Sequence, residues 1–215
     1  MKPLAKAFRN RRRWRPMRRL ALSLMESGVS RETVTIFGMA FGLLAGASFM
    51  GTAEPYNPVL FWTLGLVFCI LRIFSTRVDA ILDFQTARQT EEEVFFIELP
   101  ERVSDAVTLI GFGFAMESSP WLGLATALAA IFSAYTRSVA VMRGAKPKEA
   151  ATGPMTRIHR LILVSTASVL MLIDPIRERF DTPVPQIALW VILIGCLLTI
   201  AMRWLNIQES SRKTS

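Results

Sequence analysis

Apolar residues gather into six runs along the chain, at residues 33–50, 59–82, 103–116, 121–142, 158–173 and 187–204. A helix needs roughly 20 predominantly apolar residues to cross a bilayer, so the pattern predicts about six membrane helices, the third and fifth of them short. Breaks fall between the runs where helix-stopping residues stand. Pro55 and Pro58 separate the first two, Ser118 to Pro120 follows the third, and Asp174-Pro175 ends the fifth. The first and third connections contain no Lys or Arg. The N-terminal segment, residues 77–102, residues 143–160 and the tail with Arg203, Arg212 and Lys213 are basic. By the positive-inside rule this places both termini and the two long polar connections in the cytoplasm. Arg177 and Arg179 in the fifth connection run mildly against the trend, among Asp174, Glu178 and Asp181.

Composition agrees with a membrane setting. Of 215 residues, 52% are hydrophobic, and the mean hydropathy is +0.38, more than one soluble core of this size hides from water. The net charge of +8 is local, because residues 1–20 carry nine Lys or Arg and no acid while the remainder is near neutral. Arg9, Arg11, Arg12, Arg13, Arg15, Arg18 and Arg19, interleaved with Trp14, Met17 and Leu20, can lay an apolar face on anionic lipid. A solvated tail that only sets topology is an equal reading. No groove-reading module follows the arm, so nucleic acid is not an expected partner. Cys69 and Cys196 lie inside apolar runs and read as packing residues. The basic start lacks a cleavage-like site and is expected to be retained. With no internal repeat, the expected organisation is an all-α integral membrane protein: a basic amphipathic arm (1–27), a six-helix domain (28–206) and a cytoplasmic tail (207–215).

Ionisable residues cluster where the second run ends and the third begins: Arg72, Arg77, Asp79, Asp83 and Arg88, then Glu98, Glu101, Arg102 and Asp105. Asp79 and Asp83 are four apart, as are Glu101 and Asp105, so each pair shares a helix face. Two adjacent helices presenting these faces would gather four carboxylates, which divalent cations such as Mg²⁺ or Mn²⁺ could neutralise. Equally, Arg77, Arg88 and Arg102 could neutralise them as interfacial ion pairs. Further on, Gly153-Pro154 reads as a turn, after which Arg157, His159 and Arg160 open a helix whose guanidinium forks can hold phosphate bidentately, with Arg137 joining from the preceding helix. The alternative for His159 is an interfacial ring bonded to backbone. Lys146 and Lys148 suit a positive-inside loop, and Glu91-Glu92-Glu93 a solvated one.

These segments resemble the CDP-alcohol phosphatidyltransferases. That family carries D-x2-D-G-x2-A-R-x8-G-x3-D-x3-D across its second and third membrane helices. Asp83, Ala87, Arg88 and Asp105 fall on this spacing, Glu101 takes the third aspartate, Ala80 the first, and Phe84 and Ile97 the two glycines. A divergent branch with N-x-L-D-G-M and later N-E-x-P-D-R-x-S-D is similar without gaps. Thr76, Asp79 and Ala80 lie on its N, D and G, and residues 97–105 (Ile-Glu-Leu-Pro-Glu-Arg-Val-Ser-Asp) follow its second segment. Residues 28–36 resemble the family's G-[IV]-[ST]-P-N-x-[IV]-T, with Arg31 and Glu32 replacing Pro and Asn. Ala134-Tyr135-Thr136-Arg137 and residues 153–160 resemble A-Y-x-R and G-P-M-A-K-x-H-R.

The resemblance implies a transferase that moves a phosphatidyl group from CDP-diacylglycerol to a polar alcohol, releases CMP and works as a homodimer. It implies Mg²⁺ or Mn²⁺ on Asp79 and Glu101, with Asp83 as a substitute ligand, and Asp105 as general base. Arg88, Arg137, Arg157, His159 and Arg160 would bind phosphate or substrate. Thr76 and Ala80 supply no carboxylate where the family has its first aspartate, and side chains at Ala80 and Phe84 replace glycine. A catalytically inactive relative binding lipid or a partner is therefore the rival from another class. An ion-coupled transporter would instead place its acids near mid-membrane on broken helices.

Overall fold

The computed structural model describes Ser23, Gly28 and residues 30–54, 56–85, 91–143, 153–173 and 183–214, with the side chains of 82–85, 91–97 and 207–214 left aside. The arginines of the N-terminal arm, Arg88, Lys146, Lys148, Arg177 and Arg179 lie outside the described residues, as do the side chains of Asp83 and of Glu91 to Glu93.

All described elements are helical: α1 (Arg31–Gly51), α2 (Pro58–Gln85), α3 (Glu91–Gly113), α4 (Pro120–Met142), α5 (Arg157–Met171) and α6 (Val184–Thr214). Helix starts follow local chemistry. The Ser30 hydroxyl accepts the Thr33 N–H at 3.2 Å and caps α1, and Asn57 Oδ1 accepts the Leu60 N–H at 3.3 Å ahead of Pro58. Two boundaries depart from the apolar runs. α3 begins twelve residues before the run at 103, because a Glu-rich segment forms helix without being apolar, and α6 continues through the expected tail as far as Thr214.

α1 packs on both α2 and α3, α4 packs on α6, and α3–α4, α2–α5 and α5–α6 contacts join these sets into one bundle. The α1–α3 contact is backbone-close. A Cβ at Gly42 would meet the Ser104 side chain, one at Gly46 the Val107 carbonyl, and one at Gly111 the Gly46 backbone. Small residues four apart let two helices approach in this way, and the Thr108 hydroxyl donates across the gap to the Gly42 carbonyl at 3.1 Å. Toward the other end of the bundle Phe49, Trp62 and Phe112 form a buried aromatic cluster, with ring centroids 5.0 to 6.0 Å apart.

Large apolar side chains cover the outside, among them Phe37, Leu128, Phe132, Ile194 and Leu197, each more than half exposed. Among the described residues four helices are long and apolar enough to cross a bilayer: α1, α2 over Pro58–Ile81, α4, and α6 over Val184–Asn206. This is the surface of a membrane protein, whose outer side chains meet lipid instead of water. At 15 residues, α5 rises only about 22 Å and does not span a ~30 Å hydrocarbon layer by itself. Its sides are covered by α2 and α6.

Candidate active site

One end of the bundle encloses a cavity of about 400 Å³ to which all six helices contribute. Its lining is drawn from the start of α1 (Arg31), the last third of α2 (Thr76, Asp79), the middle of α3 (Glu101) and the end of α4 (Arg137). The start of α5 (Arg157, Arg160) and the last third of α6 (Arg203) complete it. α1 and α5 give their first turns, α3 its middle, and α2, α4 and α6 their later halves, so these ionisable groups meet around one cavity.

Asp79 is mostly buried on the α2 wall. Arg31 donates from Nε to its Oδ1 at 2.8 Å, and the Thr35 hydroxyl lies 3.4 Å from the same oxygen. Glu101 and Asp105 stand one turn apart on α3 and share Arg157. Its Nη2 donates to Glu101 Oε2 at 2.6 Å, its Nη1 also pairs with Glu101, and its Nε donates to Asp105 Oδ2 at 3.2 Å. Arg160 adds a 2.7 Å bond to Asp105 Oδ2. Asp105 itself lies behind the cavity wall, only 6% exposed, and its Oδ1 is buried without a hydrogen-bond partner. Nearby, fully buried Arg72 leaves Nε and Nη2 without partners, and the opposite charges acting on it are those of Asp105, Glu101 and Asp79. Buried groups left unpaired are costly, so they mark a place where structure has been held for another purpose.

The α5 residues are aimed by the turn before them. Gly153 has φ +140°, and a Cβ there would collide with Thr199 of α6, so glycine is required on both counts. The next residues are tied to the same threonine, whose hydroxyl accepts the Met155 N–H at 3.0 Å. His159 takes no part in the cavity lining. Its exposed ring lies with Nδ1 2.9 Å from the Pro154 carbonyl and 3.4 Å from the Thr156 backbone nitrogen, and it steadies the turn.

Of the expected site residues, Asp79, Glu101, Arg137, Arg157 and Arg160 line the cavity and Asp105 backs it. The basic partners of the acids are Arg31, Arg157 and Arg160, whereas Arg102 pairs at 3.5 Å with Glu98 one turn before it. Three participants were not singled out from sequence: Arg31, Ser133 and Arg203. Arg203 is 6% exposed and donates to the carbonyl and, at 3.1 Å, the hydroxyl of Ser133 on α4. A lone arginine after an uninterrupted apolar run was the available signal, since charge on a membrane helix needs a functional reason. For Arg31 the signal was electrostatic: a cation in the first turn of a helix faces the positive end of the dipole and calls for a nearby acid.

Among the described residues no three of His, Cys, Asp or Glu stand close enough together to surround an ion. The guanidiniums of Arg31 and Arg157 hold the acids as two separate ion-paired sets. In kind the donors still fit a hard divalent cation, being anionic and oxygen-only, and the unpartnered Asp105 Oδ1 adds a buried oxygen beside them.

No protein-family model matches the chain. Among curated proteins, the phosphatidylinositol phosphate synthase of Streptomyces avermitilis is 27% identical over 199 residues, covering 89% of this chain and 77% of the relative. That of Mycobacteroides abscessus is 26% identical over 205 residues, covering 89% and 83%. The fold matches crystal structures of Mycobacterium tuberculosis phosphatidylinositol phosphate synthase at 16% identity. The complex with manganese and citrate gives a TM-score of 0.65 over 89% of this chain and 88% of that one. The form with CDP-DAG bound gives 0.64 over 90% and 94%.

Proposed function

We propose that this chain, a member of the CDP-alcohol phosphatidyltransferase family, transfers a phosphatidyl group from CDP-diacylglycerol to a polar alcohol and releases CMP. The observation that carries the reading is one cavity, at one end of a membrane bundle, whose α2–α3 wall bears Asp79 and Glu101 and whose α4–α6 wall bears Arg137, Arg157, Arg160 and Arg203. Acids on one side and guanidinium forks on the other suit a reaction in which a pyrophosphate must be bound, polarised and broken.

In this reading the acceptor hydroxyl oxygen attacks the phosphatidyl phosphorus, the bond from that phosphorus to the CMP oxygen breaks, and the hydroxyl proton passes to Asp105. Mg²⁺ or Mn²⁺ held by Asp79 and Glu101, with Asp83 from the next turn, supplies charge stabilisation of the pyrophosphate when bound. Arg157 and Arg160 exchange a carboxylate oxygen for a phosphate oxygen, an exchange of like for like that leaves Asp105 free to take its proton. Arg88 is a further phosphate contact carried over from the motif. His159 acts by setting the turn that aims both arginines.

The acceptor we favour carries a phosphate of its own. Arginines outnumber acids in the cavity lining, where Arg31, Arg102, Arg137, Arg157, Arg160 and Arg203 stand against Asp79, Glu98 and Glu101, and an anionic acceptor suits that balance. The curated relatives named for phosphatidylinositol phosphate synthesis support the same choice. Basic connections adjoin this end of the bundle, so both termini and the cavity face the cytoplasm, where CDP-linked substrates are found, and the family resemblance supports a homodimer.

The deciding experiment incubates purified protein with CDP-diacylglycerol, Mg²⁺ or Mn²⁺ and a panel of free and phosphorylated polar alcohols, and measures CMP. Release with a phosphorylated alcohol is expected; no release from any pairing overturns the reading. One observation favours a second account, a non-catalytic lipid- or partner-binding relative: Asp79, Glu101 and Asp105 are each already ion-paired within the chain. A transporter is disfavoured, because these acids line or back a cavity at one end of the bundle.

A further inference from the structure

Arg72 belongs to the part of α2, Pro58–Ile81, that is long and apolar enough to cross the bilayer, and it is 2% exposed. A guanidinium keeps its proton even there, and a charge in such a place calls for a function. The packing makes room for it. A Cβ at Gly38 of α1 would fall 2.5 Å from Arg72 Nη1 and 2.5 Å from the Ser75 hydroxyl oxygen, so the bare backbone at this point leaves the guanidinium its space. One turn further along α1, Gly42 stands against Ser104 of α3 in the same way, which sets Arg72 beside the seam that carries Ser104 and Asp105. Nε and Nη2 nevertheless have no hydrogen-bond partner, and neither has Asp105 Oδ1. Arg157 and Arg160 both meet Asp105 on Oδ2, and among the acids acting on Arg72 the charge of Asp105 weighs most. Two free donors and a free acceptor of opposite charge are thus buried in the same part of the bundle without bonding each other.

We infer that Arg72 is a positioning residue for Asp105: it takes Oδ1 when Arg157 and Arg160 turn from Oδ2 to phosphate, and it keeps the carboxylate aimed while Oδ2 receives the proton of the acceptor hydroxyl. This rests on the transferase reading above and deepens it, because the departure of both cavity arginines would otherwise leave Asp105 a buried, unpaired charge. Arg72 does not line the cavity and acts only through Asp105. A reacting group displaced by about 1 Å loses roughly a hundredfold in rate, which sets the size of the expected effect.

The test is a double-variant cycle on the full-length protein in detergent, with Arg72→Met made both in wild type and in Asp105→Asn. Methionine fills much of the volume without the charge. Because the two residues act on one another, Arg72→Met should shift the thermal midpoint less favourably where Asp105 is intact than where it is Asn. With Mn²⁺, CDP-diacylglycerol and a phosphorylated alcohol accepted in the panel above, Arg72→Met should lower kcat roughly a hundredfold at unchanged KM, and it should add nothing to the loss caused by Asp105→Asn. Equal midpoint shifts in both backgrounds overturn the inference, as does a folded Arg72→Met whose kcat stays within a few-fold of wild type, or one that raises KM alone. If Arg72→Met does not fold, Gly38→Ala takes its place in both measurements, since its methyl displaces Nη1, with the same signs expected and the same results ending the inference. Absence of CMP release by wild type sinks the transferase reading, and the midpoints then decide the pairing of Arg72 with Asp105 on their own.

Discussion

Replacing Asp105 by Asn separates the proton-accepting role of this residue from its structural one. The carboxylate takes both of its ionic contacts on one oxygen, Arg157 Nε at 3.2 Å and Arg160 Nη2 at 2.7 Å on Oδ2, while Oδ1 has none. An asparagine can keep its carbonyl oxygen on the arginine side and turn its NH₂ toward the empty side, so no donor loses its acceptor. Two charge-assisted bonds become ordinary ones, at about 1 kcal/mol each, and Glu101 continues to hold Arg157. The expected loss of stability is therefore roughly 2 kcal/mol, read as a modest fall in the thermal midpoint in detergent. Turnover, in contrast, should fall by about 10²- to 10⁴-fold through loss of the base, read as CMP release with Mn²⁺ and CDP-diacylglycerol. Asp105→Ala is the control, because it strips the acceptor from a nearly buried Arg160 and should cost about 3–5 kcal/mol. An Asp105→Asn protein that folds and retains turnover within a few-fold of wild type would refute the assignment of Asp105 as base.

Arg157→Lys keeps the charge and removes the fork that spans Glu101 and Asp105, so affinity for CDP-diacylglycerol should drop roughly tenfold while expression persists; unchanged affinity by calorimetry returns this arginine to a purely structural role. Gly46→Leu should force α1 from α3, where even a Cβ meets the Val107 carbonyl, at about 1–3 kcal/mol, and an unaltered thermal midpoint would mean that the helices are not packed this closely. Tags at residues 1 and 215 should both be protected in sealed right-side-out vesicles; digestion of either contradicts a cytoplasmic cavity.

The helices were legible because their signal is local. Apolar length identifies a span from composition alone, and α1, α2, α4 and α6 meet that criterion both in the sequence and in the fold. α3 was seen only from residue 103 onward, since hydropathy registers apolar length while the segment from Glu91 is Glu-rich and forms helix by propensity. The acids were legible for a similar reason: Glu101 and Asp105 are four apart on one helix, and spacing alone puts them on a common face.

Their counter-charges were not, because ion pairing is a property of the assembled bundle. Arg31 and Asp79 are separated by 48 positions and Arg157 and Glu101 by 56, and no periodicity links such distant residues before the helices are packed. Local reasoning chose Arg102 as a neutraliser for its nearness in sequence, yet on α3 it turns to Glu98, while α1 and α5 deliver the arginines that matter. Arg31 replaces a proline of the motif it resembles, and read alone it is only a lapse in that motif. Placed against Asp79 it is the counter-charge of that buried acid, at 2.8 Å.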